Sequence, residues 1–277
     1  MPPDLSGTTA LVTGASSGIG AAMARRLASW RCDLVLTARR QDRLEALCGE
    51  LTATHGVRAL AIREDLADPD APARLHQAVR AAGAPIDILI NNAGFGVFQG
   101  FSDTPWERHR ELLQLNVTSL VELTHRFLPE LMGRPRRTHV LNVSSIAAFV
   151  HVPLFAAYNG SKAFVLAFSQ SLAAELSGTD VKVTCLVPGG TTTEFSRVAG
   201  QTLGAAARAG MMSAERCAAI GLRGMLRGRR VVVAGATNKA IQATSRLLPQ
   251  RLVAAAGSAI LGKPAAGALE AGEDGSP

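Results

Sequence analysis

Short, β-branched apolar runs alternate with longer helical segments along most of this chain, and that alternation narrows its fold more than any other feature. The runs lie at residues 10–13, 33–38, 58–63, 86–91, 139–144, 182–188 and 230–234. They are nearly continuous in apolar character rather than alternating apolar with polar, as strands buried on both faces of a parallel sheet must be. Helical spacing fills residues 19–30, 41–55, 70–82, 105–132 and 157–176 between them. Asp68-Pro69 and Thr104-Pro105 supply helix-start signals, because Pro is favoured in a first turn. Strand and helix in this succession predict an α/β fold, a doubly wound parallel sheet of about seven strands. No linker divides the chain before residue 235, so residues 7–235 are read as one domain. Residues 236–262 read as a C-terminal helical extension interrupted at Pro249, and residues 263–277, rich in Ala, Gly and acidic side chains, as a disordered tail.

Composition removes several classes. With 47% hydrophobic and 18% charged residues over 277 positions, the chain can bury a full-sized core. Four cysteines (Cys32, Cys48, Cys185 and Cys217) form no CxxC pair and are read as reduced core thiols; no histidine cluster accompanies them, and no metal site is expected. The net charge of +7 invites a nucleic-acid reading, but the basic residues are dispersed, aromatics are 4%, and no basic run interleaves with them. Such a surface suits small anions, nucleotides included. No basic stretch followed by an apolar one opens the chain, and the late apolar run at 252–262 is too short to span a bilayer. A cytoplasmic protein without a transmembrane segment is expected.

Three motifs carry chemistry. Directly after the first strand stand Gly14, Ser16, Ser17, Gly18, Ile19 and Gly20, a G-x3-G-x-G turn that opens a helix. Glycines there let the backbone approach a pyrophosphate, and the helix start directs free N–H groups and the positive dipole end at it. The second strand runs into Ala38-Arg39-Arg40 with no acid to hold a ribose 2′-hydroxyl. Arginine pairs bidentately with phosphate, so NADP(H) is expected rather than NAD(H), with Arg39 the main contact and Arg40 a second. Finally, the sole tyrosine, Tyr158, is followed four residues later by Lys162, one of only four lysines. That spacing places both on one helix face, where an ammonium favours phenolate and draws the phenol pKa towards general acid/base range.

With these motifs in line, residues 7 to about 235 resemble the short-chain dehydrogenase/reductase family, whose domain is Rossmann-type. The resemblance extends to Asp65-Leu66 at the adenine ring, to Asn92, Ala93 and Gly94 of an NNAG motif, and to Pro188, Gly189, Thr191 and Thr193 in a PGxxxT segment that holds the nicotinamide carboxamide. It also places Asn116 and Ser145 at the family's catalytic asparagine and serine positions. It implies that Tyr158 protonates a carbonyl oxygen as hydride arrives, and that Ser145 stabilises that oxygen. Lys162 would bind the ribose and lower the Tyr158 pKa, while Asn116 completes a proton relay. Ser17 stands where some NADP-dependent members carry a basic residue.

The segments expected to line the pocket, including a substrate loop at 190–213, are apolar: Phe95, Phe98, Phe149, Phe155 and Phe195 are the candidate contacts. They point to an apolar ketone or aldehyde, a 3-ketoacyl or steroid-like ketone among the options. The long helices at 105–132 and 157–176 resemble those through which relatives pair, so a homodimer or homotetramer is expected. Two other readings stay open. One is an inactive nucleotide-binding sensor or scaffold, which the Tyr158→Phe variant would discriminate. The other is a peripheral membrane reductase using residues 239–262 as a surface helix, which liposome sedimentation would discriminate.

Overall fold

The computed structural model of the chain describes residues 3–150, 152–202, 204 and 210–245. Seven strands form one parallel sheet: β1 (Thr9–Thr13), β2 (Asp33–Ala38), β3 (Ala59–Arg63), β4 (Ile88–Asn91), β5 (Thr138–Val143), β6 (Val181–Val187) and, past a short pair, β9 (Val231–Val233). Their spatial order is β3-β2-β1-β4-β5-β6-β9. The expected doubly wound α/β sheet is therefore present. The order reverses between β1 and β4, which pair through Ala10 and Ile88, so a crevice opens at their carboxyl ends.

Side-chain alternation along the strands builds two apolar layers. Ala10, Val12, Leu34, Leu36 and Ile90 face one side with Met23 and Leu27 of α1 (Gly18–Ala28) and Leu44 and Leu51 of α2 (Gln41–His55). Leu11, Val35, Leu89, Val140 and Val183 face the other. There they meet Leu75 and Val79 of α3 (Ala71–Ala81), Leu123 and Phe127 of α5 (Ser119–Met132), and Leu172 of α6 (Ala156–Glu175). Each fully buried Leu or Phe contributes about 1.5–3 kcal/mol, and buried polar strand residues are hydrogen-bonded, as where Asn91 Nδ2 donates to Asn142 Oδ1 at 2.9 Å.

Four details differ from the sequence reading. The helix expected over 105–132 is two, α4 (Trp106–Leu113) and α5, joined by a π-helical turn at Gln114–Thr118. The two prolines shift by a position or more: Pro105 is the residue before α4, while α3 starts after Asp70 with Pro72, not Pro69, in its first turn. A helix unanticipated in the sequence, α8 (Ala214–Leu226), covers β6 and β9. Its glycines conceal it from propensity but permit the packing, since a Cβ on Gly221 would lie 2.7 Å from Leu186 Cδ2, and one on Gly224 would collide with Val232. Lastly, β7 (Thr191–Thr192) pairs with β8 (Met212–Ser213), pinning the two ends of the expected 190–213 loop together. Between them lies the single-turn helix α7 (Phe195–Val198).

Of the C-terminal extension, α9 (Ala236–Ser245) is helical. The rest of that extension, the tail at 263–277, His151 and residues 203 and 205–209 of the loop lie outside the described residues. Among the described residues no helix is long and apolar enough to cross a membrane, and no group of three His, Cys, Asp or Glu could hold a metal.

Candidate active site

The turn after β1 is shaped by contacts that leave no room for side chains. Gly14 has φ +66°, and a Cβ on it would lie 2.9 Å from the Ala93 Cα; one on Gly20 would strike the Gly14 carbonyl oxygen. Asn92 braces the turn: its Nδ2 donates to the carbonyls of Thr13 at 2.8 Å and Gly14 at 3.3 Å. Thr13 Oγ1 in turn accepts from the N–H groups of Asn92 at 2.9 Å and Ala93 at 3.0 Å. At the start of α1, Ser17 makes no side-chain cap and the first turn holds no acid. An uncapped helix start beneath a bare turn fits a pyrophosphate, because its N–H groups have no acceptor of their own. Ile19 packs against the core below.

Two arginines follow β2 and behave differently. Arg39 is exposed and has no hydrogen-bond or ionic partner among the described residues. Arg40 donates from Nη2 to Ser16 Oγ at 3.1 Å and Ser17 Oγ at 3.0 Å, and from Nη1 to Glu194 at 2.9 Å. After β3, exposed Asp65 accepts from the Ala67 N–H at 3.1 Å, while Leu66 is buried in the core with its carbonyl held by Ser119 at 2.6 Å.

The carboxyl end of β5 and the start of α6 bring Ser145, Tyr158 and Lys162 together. Ser145 Oγ accepts from the Ala147 N–H at 3.1 Å, which orients the hydroxyl near the Tyr158 phenol. Lys162 Nζ donates to the Val143 carbonyl at 3.0 Å and lies 5.8 Å from the Tyr158 ring centroid. Burial pushes the phenol up to about 12, with nearby Ser145 pulling the other way. Burial pulls the Lys162 ammonium down to about 8. The lowering of the phenol by Lys162 that the spacing implied is not seen: burial sets the direction, and at neutral pH the phenol carries its proton.

Asn116 sits in the π-turn, buried, and uses its whole amide. Oδ1 accepts from the Phe95 N–H at 3.1 Å; Nδ2 donates to the Phe95 carbonyl at 2.9 Å and to Ser161 Oγ at 3.1 Å. A single π-turn inside an α-helix is a frequent mark of a functional position. Gly94 lies between it and the lysine: a Cβ there would stand 2.8 Å from Asn116 Oδ1 and 3.2 Å from Lys162 Nζ.

The PGxxxT segment closes the other side. The Pro188 carbonyl accepts from the Ile146 N–H at 2.7 Å, tying it to the Ser145 turn. Gly189 is pressed against Asn238 of α9. Thr191 Oγ1 bonds the Gly189 carbonyl at 3.0 Å, and Thr193 Oγ1 accepts from the Phe195 N–H at 3.2 Å. Of the five phenylalanines, Phe95, Phe98, Phe155 and Phe195 share one apolar cluster with Tyr158. Phe155 and Phe195 flank the phenol ring, with centroids 5.2 and 5.3 Å away. Phe149 packs instead with Leu166, Cys185, Val187 and Val233. Ser161 and Glu194 were not anticipated. Ser161 stands between two recognised residues, but nothing local marks Glu194, whose partner Arg40 is 154 residues away.

A doubly wound sheet with a glycine turn at its switch point and a serine–tyrosine–lysine group beside it defines a nucleotide-dependent alcohol–carbonyl oxidoreductase. Comparison with known proteins agrees: the short chain dehydrogenase family model matches residues 8–204, and the chain belongs to that family. It is 39% identical over 196 residues to serine 3-dehydrogenase from Agrobacterium fabrum, covering 69% of this chain and 74% of that protein. A short-chain dehydrogenase from Sphingobium yanoikuyae in complex with NADPH superposes with a TM-score of 0.76 at 33% identity, covering 88% of this chain and 97% of that one. A short-chain dehydrogenase/reductase from Burkholderia phymatum in complex with NAD superposes with a TM-score of 0.78 at 25% identity, covering 88% and 93%. These two solved structures thus hold one or other nicotinamide cofactor.

Proposed function

We propose that the chain is an NADP(H)-dependent reductase of an apolar ketone or aldehyde. The observation that carries this is the buried Tyr158 phenol, near Ser145 and walled by Phe155 and Phe195. Gly14, Gly18, Gly20, the start of α1, Asn92, Ala93 and the 188–193 segment would hold the dinucleotide, which when bound supplies or accepts the hydride. Tyr158 Oη donates its proton to the carbonyl oxygen of the substrate. Ser145 Oγ, fixed by the Ala147 N–H, stabilises the negative charge developing there. Lys162 supplies positive charge behind the phenol and holds the ribose. Asn116, packed against Gly94 beside Lys162, is assigned to the proton relay that resupplies the phenol. The apolar cluster around Tyr158 favours a hydrophobic carbonyl compound, with half-buried Phe95 and Phe195 as its contacts and buried Phe98 and Phe155 behind them.

NADP(H) is favoured because no acid ends β2 and Arg39 is exposed there without a partner. Paired titration with NADPH and NADH tests this. A preference of about tenfold corresponds to about 1.4 kcal/mol, within reach of one charge-assisted contact, and Arg39→Ala is expected to abolish it; equal affinities in the wild type would refute the assignment. Two copies pair through the outer faces of α5 and α6, where Met132 is 53% and Phe164 43% exposed. Sedimentation showing a monomer at all concentrations would contradict that pairing.

A further inference from the structure

Glu194 stands immediately after the segment that closes the nicotinamide side, yet its carboxylate reaches across to the residues at the ribose end. It accepts from Arg40 Nη1 at 2.9 Å, Arg43 Nη1 at 3.2 Å and Arg197 Nη2 at 3.1 Å. The first two donors belong to the β2–α2 junction and the third to α7, so one carboxylate ties two sides of the cleft. The crossing passes close over the glycine turn: a Cβ on Gly18 would lie 3.0 Å from Thr193 Cγ2. With Nη1 on Glu194 and Nε and Nη2 on Ser16 and Ser17, Arg40 has a protein acceptor on every arm.

A carboxylate bridging two guanidiniums has the geometry and charge sign with which those guanidiniums would grip a phosphate. Resting on the NADP(H) assignment above, we propose that Glu194 is a specificity-determining residue that competes internally with the cofactor's 2′-phosphate for Arg40 and Arg43. A 2′-phosphate entering beside Ser16 must take these arginines from Glu194 or bind against its charge. Hydrogen bonds from Arg40 and Arg43 hold the Glu194 carboxyl down to about 2, so it is an anion at every pH of interest. The competition weakens NADP(H) and leaves NAD(H), which lacks the phosphate, untouched.

The test is calorimetric binding of NADP+ and NAD+ to the full chain and to Glu194→Gln, with no turnover required. Removing the carboxylate's charge is expected to lower the NADP+ Kd by about fivefold or more and to leave the NAD+ Kd within about twofold. Glu194→Asp, which keeps the charge, is expected to hold the wild-type ratio of the two constants. Glu194→Ser is measured alongside, so that a folding defect peculiar to one substitution does not decide the result. An unchanged ratio in both neutral variants, or one shifted towards NAD+, overturns the proposal. If the wild type shows no NADP+ preference but the neutral variants acquire one, the competition stands and the cofactor assignment falls. If the wild type prefers NADP+ and the neutral variants do not sharpen that preference, the reverse holds.

Discussion

At the scale of single residues, Tyr158 and Lys162 show burial moving two proton affinities in opposite directions, the phenol up and the ammonium down. The consequence for stability follows from linkage. Lys162 has a folded value of about 8 against an ordinary 10.5, so between those pH values the unfolded chain binds more protons, and stability from this group rises with pH across that window. At pH 7 the buried charge is a net cost, so Lys162→Met is expected to raise stability by up to about 3 kcal/mol and to flatten the pH 8–10 slope while abolishing turnover. Urea denaturation at pH 7 and pH 9.5 checks both; a less stable variant at pH 7 would contradict the assignment. Gly94 offers a second check. A methyl there would push against Asn116 Oδ1 and Lys162 Nζ, so Gly94→Ala is expected to lower kcat about 10- to 100-fold in steady-state assays. Tyr158 and Lys162 were legible in the sequence because their relation is a local helical spacing. Glu194 was not, because its meaning depends on Arg40 and Arg43 across the cleft.

Among the elements, glycines divide by what they face. Gly224 of α8 presses on Val232 of β9, and a methyl there demands movement of a strand side chain. Gly49 of α2 is exposed with nothing within 4 Å of a Cβ. Thermal unfolding is therefore expected to show Gly224→Ala destabilised by about 1–3 kcal/mol and Gly49→Ala stabilised by about 0.5–1 kcal/mol. Equal effects at the two sites would refute the close helix–sheet contact. The same chemistry explains why α8 escaped the sequence reading: two glycines depress helix propensity, and the reason for them lies on β6 and β9. The break between α4 and α5 was equally hidden, since Leu113, Gln114, Thr118 and Ser119 keep right-handed helical dihedrals on either side of the π-turn. Helix α2, in contrast, was read with its observed bounds, because Gly56 adopts φ +68° as a left-handed cap directly after it.

For the whole molecule, seven apolar runs with helical segments between them specify a parallel sheet covered on both faces, and strand order then dictates where the cleft opens. The order itself was not written in any local pattern; it arises from non-local pairings such as Ala10 with Ile88 and Cys185 with Val231. Those pairings carry the glycine turn, the β5 end and the 188–193 segment to one edge, where Tyr158 meets Ser145. The proposed chemistry at this edge is reduction of a carbonyl with Tyr158 as proton donor. The most direct measurement is the rate of NADPH oxidation by wild type and Tyr158→Phe with a panel of apolar ketones and aldehydes. Turnover by the wild type is expected, with a loss of about 10²- to 10⁴-fold in the variant and NADPH affinity retained. No oxidation with any member of the panel, or equal rates for the two proteins, would contradict it.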